Sequence, residues 1–449
     1  MKTRTRSTRA LAVVAALAFV AASCGDDDEA TPTTTAEPAA PQTTAPAADE
    51  PADTEPAATE PADEPAGSTP AEAPADSEPA AEPGEPLKIM AFGTYESQSL
   101  NLDQARAGVE AHVAVLNETG GAAGHPIEVV VCNDNFDPNE AASCARQAVS
   151  DGVVAIVGPA SGYASTALPI LEEAQIPYLN GSGAGGVIEL TSPVSFPLHG
   201  GSQAQLMGAG RALVEEGASN VVIVVADADQ AREAAKNIQN AISDAGGNAD
   251  APMTNAPLGA PDYSAVAASA LDGDPDGIVI AHVPADAPKI VQALRQAGYD
   301  GLIATSTGIL TQVGVDAIGD AAEGVIVLDR GQLPTDDSIP EIADYLAGMA
   351  EYEPDALIDA ASLNGWAAVT FFTELVARTD GEITGSALIA TLGSLDEPIH
   401  TGAFDDYSGP TDPPVFADFP QVANFKANVA KVEGGKIVSY KGFIDLGAA

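Results

Sequence analysis

The chain has 449 residues, with 18 lysines and arginines against 65 aspartates and glutamates, a formal net charge of −47. Such a surface repels phosphate backbones, which excludes nucleic acid as a partner, while 45% hydrophobic residues over this length can bury a large core. Three cysteines, Cys24, Cys132 and Cys144, are too few for a disulfide-built scaffold or a four-cysteine zinc site.

Lys2, Arg4, Arg6 and Arg9 precede an apolar run from Ala10 to Ala22. The run is too short to span a bilayer, and a basic segment, a short apolar core and small residues in that order form an export signal. Ala21-Ala22-Ser23-Cys24 resembles the bacterial lipobox, in which cleavage before the cysteine leaves an N-terminal thiol that carries a diacylglycerol. Lipoboxes usually place Leu three residues before the cysteine, and here Ala21 stands there. The other reading is an ordinary secretory signal with a stray cysteine. No second long apolar run follows, so a lipid on Cys24 is the only membrane tie expected.

Residues 25–86 contain 17 acids, 13 prolines and no Lys or Arg. A stretch so poor in large apolar side chains cannot bury enough surface to fold, so it reads as a disordered spacer, ~190 Å long if fully extended at ~3.1 Å per residue. O-linked sugars at its Ser and Thr residues are an alternative use. The remainder still carries −34. That charge reads first as a well-solvated exported surface, and second as salt adaptation or a site for a cationic ligand.

From Leu87 the pattern changes to short apolar runs alternating with helical-period segments. Residues 87–92, 126–132, 153–157 and 176–180 read as strands buried on both faces, separated by helices at 104–117, 138–150 and 164–174. Asp137-Pro138-Asn139-Glu140 supplies an N-cap, a first-turn proline and an acid placed to close a capping box. The pattern restarts after residue 200, with strands near 220–226, 277–283 and 301–305. Two α/β units, each doubly wound around a parallel sheet, follow from this order. A helix near 361–377 carries the only tryptophan, Trp366, expected in the core. Strands at 425–432 and 436–441 then flank a turn at Gly434-Gly435.

His112, His125, His199, His282 and His400 show no metal spacing, and no zinc-protease, Cys-x-x-Cys, P-loop or nucleophile-elbow motif occurs. No metal, cofactor or catalytic constellation is therefore expected, and the chain does not read as an enzyme. Asn133, Asn135 and Asp137 alternate like a calcium loop, but Pro138 and Cys144 fall where such a loop needs Gly and Glu. Gly181 to Gly186 spells G-x-G-x-x-G, but on the fourth strand and without a following acid for a ribose. It reads instead as a loop whose backbone N–H groups meet a small polar ligand. Cys132 ends a strand and Cys144 lies on the next helix, which leaves open a disulfide or two buried thiols.

The blocks K-I-M-A-F-G-T, G-V-E-A-H-V-A-V-L-N-E-T-G-G, G-H-P-I-E-V-V-V-C-N-D-N-F-D-P-N-E-A, I-V-G-P-A-S and A-Q-I-P-Y-L, followed by L-R-Q-A-G-Y and A-A-E-G-V-I-V, lie between residues 88 and 327, and the resemblance they carry covers essentially all of residues 87–449. Together they resemble the leucine/isoleucine/valine-binding type of class I solute-binding protein of ABC importers. The resemblance implies two Rossmann-like lobes joined by a three-strand hinge, the periplasmic-binding-protein-like I or Venus-flytrap fold. Lobe 1 is expected at 87–200 plus 332–421 and lobe 2 at 201–331 plus 422–449. It also implies an extracytoplasmic monomer that captures a small solute and delivers it to an ABC permease; a binding protein that signals to a membrane receptor is the alternative.

Carried over residue by residue, the family serine that helps hold a ligand carboxylate resembles Ser161, with Tyr163 nearby. The next loop offers Ser182, Gly183 and Ala184, with glycine where the family has a threonine. Gln230, beside Asp227 and Asp229, replaces the usual aromatic, and Thr307 stands where branched-chain binders place a glutamate for the ligand ammonium. Tyr95 and His282 are expected at strand ends on the cleft wall. Without the glutamate, either Asp227 or Asp229 pairs the ammonium, or the ligand is neutral or amide-like, with Gln230 as its partner.

Overall fold

A computed structural model describes residues 84–97, 101–183, 186–248, 250–410, 419–423 and 425–446. The export signal, Cys24, the spacer up to residue 83 and Ala184 lie outside the described residues.

The first lobe opens with β1 (Leu87–Gly93), α1 (Asp103–Glu118), β2 (Ile127–Asn133), α2 (Pro138–Ser150), β3 (Ala155–Val157), α3 (Ala164–Ala174), β4 (Tyr178–Leu179) and β5 (Ser195–Phe196). Its five strands are all parallel, in the order β2-β1-β3-β4-β5. The predicted start of α2 is half right. The Asp137 side chain accepts the amides of Asn139 and Glu140, but its own N–H goes to the Asp134 carbonyl, so Glu140 closes no capping box.

The chain then crosses to a second sheet, with α4 (Gly201–Glu215), β6 (Val221–Ala226), α5 (Asp229–Asp244), β7 (Met253–Ala256), α6 (Ser264–Ala270), β8 (Gly277–Ala281), α7 (Ala287–Gln296), β9 (Leu302–Ser306), α8 (Gln312–Ile318) and β10 (Ile326–Asp329). It returns to the first lobe for α9 (Pro340–Tyr352), α10 (Ala360–Ala377) and α11 (Gly385–Leu392), and ends back in the second with β11 (Lys426–Glu433) and β12 (Lys436–Asp445). The seven-stranded sheet runs β12-β11-β10-β9-β8-β6-β7. It is mixed, because the hairpin through Gly434-Gly435 joins β10 antiparallel.

α10 is largely apolar because it is central. Asp359 caps it in a full capping box with Ser362, and all residues from Leu363 to Val376 except Thr370, Thr373 and Glu374 are buried. It crosses α1 so closely that a Cβ at Gly108 would lie 2.0 Å from the Ser362 carbonyl and one at Gly365 2.1 Å from the Ala105 carbonyl. Trp366 is a core residue, as expected: it is buried, stacked on His112 at 4.0 Å and edge-on to Tyr345. One core joins β1, β3 and β5 to residues from Ile342 to Tyr407. Another joins α4, β6 and β10 to Val429 and Leu446, and also takes in Leu190 and Phe419. Cys132 and Cys144 form a disulfide with a Cα separation of 5.7 Å, tying β2 to α2. For a loop this short the chain-entropy gain is about 2–3 kcal/mol.

Candidate functional site

Parallel strands bring their carboxyl ends, and the loops that follow, to one edge of each sheet, which is where open α/β folds bind ligands. In the first lobe those loops are organised by Asp134, a fully buried carboxylate just beyond β2. It accepts the Thr94 hydroxyl at 2.6 Å, the Phe136 amide at 2.9 Å and the Ser161 hydroxyl. Ser161 in turn accepts the Tyr163 amide at 3.0 Å. The hydroxyl expected to face a ligand therefore belongs to an internal network that fixes the loops after β1, β2 and β3 against one another. Tyr95 is placed by its own amide, which donates to Asn133 at 3.0 Å, and its ring packs with Ala160 and Ala361. Its hydroxyl has no partner among the described residues, and burial raises its pKa far above the ordinary phenol value. Tyr163 is half-buried, tilted against Phe136 at 5.0 Å.

The glycine loop differs from the expectation. The Ser182 amide donates to the Pro159 carbonyl at 2.9 Å and the Gly183 amide to buried Glu189 at 2.7 Å, so protein acceptors hold these two of the loop's N–H groups. What this loop presents is a carbonyl: Ser182 accepts from Arg330, which also donates to the Ala360 carbonyl at 3.2 Å, at the start of α10. Arg330 stands just past β10, on the second crossover. Burial lowers its pKa, and burial raises that of its neighbour Asp329. Asp329 accepts the Thr307 hydroxyl at 2.6 Å and the Gly331 amide at 3.2 Å. Gln205 donates to the Leu328 carbonyl at 3.1 Å and to Thr307 at 3.4 Å. Ser182 of one lobe and Thr307 of the other are thus joined through an adjacent Arg–Asp pair that sequence reasoning missed.

On the first crossover, His199 accepts the Gly201 amide at 3.1 Å through Nδ1 and meets Asn364 at 3.1 Å through Nε2. Burial first, and then the Arg330 charge, pushes its pKa down to about 3, so it is neutral.

The remaining predicted residues gather elsewhere. The Asp227 amide and His282 Nε2 share the Ala256 carbonyl at 2.8 and 3.1 Å, at the ends of β6, β7 and β8. The carboxylates of Asp227 and Asp229 are exposed and both ion-paired with Arg232. His282 is buried edge-on to Tyr263, its Nδ1 3.8 Å from Asp286. No hydrogen bond or ion pair among the described residues links Asp227 or His282 to Ser161 or Thr307. Gln230 is placed only as part of α5. No cluster of three or more metal-ligating side chains occurs among the described residues, and none of their helices is long and apolar enough to cross a membrane.

Two lobes built on parallel or largely parallel sheets, three crossings between them and polar loops at the strand ends define a two-lobed binding protein. The match agrees: residues 96–432 fit the periplasmic binding protein family model, and the chain belongs to that family. It is 25% identical over 229 residues to the leucine-, isoleucine-, valine-, threonine- and alanine-binding protein of Pseudomonas aeruginosa, a match over 50% of this chain and 61% of that relative. The fold is similar to that of a putative branched-chain amino acid ABC transporter protein from Rhodospirillum rubrum (TM-score 0.65, 18% identity, 79% of this chain and 99% of the other). It is also similar to an R. palustris solute-binding protein in complex with 4-hydroxybenzoate (TM-score 0.61, 17% identity, 80% and 97%).

Proposed function

We propose that this protein is the extracytoplasmic solute-binding lipoprotein of an ABC importer, anchored as a monomer through Cys24. Its division into 87–200 plus 332–421 and 201–331 plus 422–449 lets the lobes close over a small polar solute for delivery to a permease. The family membership supports this reading, as does the way Ser182 and Thr307 flank Arg330 and Asp329 where the chain crosses between lobes. The ligand is a branched-chain amino acid, an amide or a related polar solute, and the amide is preferred. The observation that carries the preference is that Asp227 and Asp229 are exposed and ion-paired with Arg232, so neither stands as a desolvated partner waiting for a ligand ammonium.

Calorimetry with leucine, valine and a panel of amides tests it. Saturable binding of an amide, unchanged in Asp227→Asn, is the expected result. Tight leucine binding that disappears in Asp227→Asn would overturn the amide reading and make Asp227 the ammonium partner.

A further inference from the structure

The flank of the first lobe holds a cavity of about 440 Å³ between α1, α9 and α10. Its size lies within the range of small-molecule sites, and it is distinct from the residues joined through Arg330. Its floor is apolar and aromatic, made by Val115, Ala347 and Trp366. Its rim is acidic, because Glu341, Asp344 and Glu351 recur on one face of α9 while Ile342, Tyr345 and Met349 of the same helix are buried. His400 closes one end, bonded to Asp406 at 2.6 Å and 3.6 Å from Glu341, and Asp406 first, then Glu341, raises its pKa. Asp344 and Glu351 have no such partner among the described residues. They stand two helical turns apart, about 10 Å.

An independent feature of the floor points to a ligand. His112 lines the cavity and is only 8% exposed. Its Nδ1 donates to the Trp366 carbonyl at 2.8 Å, so Nε2 is the bare acceptor of a neutral ring. Nε2 has no partner among the described residues. As an acceptor of a residue that lines the cavity and with no protein donor, it is free to take a hydrogen bond from water or a ligand N–H.

We infer that this cavity is a second binding site, for a linear aliphatic polyamine. Its ammonium groups pair with Asp344 and Glu351, one N–H donates to His112 Nε2, and the methylenes between them lie on Trp366, Val115 and Ala347. A metal ion fits poorly, since no cluster of three ligating side chains forms there. The chain's own spacer fits no better, because residues 25–86 are acidic and carry no Lys or Arg.

Titration of the full chain with spermidine at physiological ionic strength tests the inference. One saturable site is expected, weakened about tenfold or more in Asp344→Asn/Glu351→Gln and about fivefold or more in His112→Phe, which keeps the ring on Trp366 but removes the acceptor. Asp380→Asn/Glu382→Gln makes the same charge change at exposed positions outside the cavity and should leave affinity within about twofold. Equal weakening by both double variants would identify a diffuse counter-ion atmosphere and overturn the site, as would the lack of a saturable phase. Wild-type affinity in His112→Phe would overturn the docking mode.

Discussion

Arg330 is held by two carbonyls from the first lobe while its neighbour Asp329 is tied to Thr307 in the second, so this adjacent pair joins the two halves. Removing the guanidinium leaves Asp329 buried beside no positive charge and leaves two carbonyls without their donor. Arg330→Ala should therefore cost about 3 kcal/mol in urea unfolding, and Arg330→Lys, which cannot fork between two acceptors, should recover only part of it. An Arg330→Ala protein as stable as wild type would show that the pair is not structural. His112 and His199 make a second prediction. Burial holds their pKa values down to about 4 and about 3, whereas an unfolded histidine protonates near ~6.5. Through that window the unfolded chain binds more protons, so stability rises with pH and is lost as solution is acidified from ~6.5 toward ~4. Melting temperature should fall between about pH 6.5 and pH 5, above the range where most carboxylates titrate, and fall less in His112→Phe.

At the level of elements, the contact between α1 and α10 depends on Gly108 and Gly365, each facing a carbonyl of the other helix. Gly365→Ala adds a methyl where only backbone can move aside. It should cost about 2–3 kcal/mol despite the higher helix propensity of alanine, and a thermal melt that instead shows stabilisation would disprove the close crossing. Neither glycine stood out in the sequence, since both sit inside ordinary helical patterns and their partners are far away in the chain. The elements were legible. Buried parallel strands read as unbroken apolar runs, so β1, β2 and β6 are found within a residue or two of their expected limits. The candidate site was less so. Ser161 and Ser182 were singled out by the family resemblance, but nothing in the sequence tells that Asp134 accepts the Ser161 hydroxyl or that the Pro159 carbonyl accepts the Ser182 amide. Asp329-Arg330 reads simply as the polar end of a strand, and its acceptors, Ser182 and Ala360, are fixed only by the tertiary fold.

For the molecule as a whole, the composition of the proline-rich segment leads us to expect that it bears on reach rather than on the binding machinery. The backbone is engaged from Gly84, whose amide donates to the Gly124 carbonyl at 2.9 Å, so a deletion should stop short of that residue. Removing residues 30–80 should leave ligand affinity within about twofold by calorimetry; a large loss would place the spacer in the site. The interleaving of the two cores has a consequence for biosynthesis. The first sheet is laid down by Phe196, yet its core needs Ile342 to Tyr407; the second is nearly complete at Asp329, yet needs Val429 and Leu446. At about 5–20 residues per second the early strands wait about 10–40 s for the segments that cover them. A chain emerging from the ribosome thus has neither core complete until synthesis has passed Tyr407.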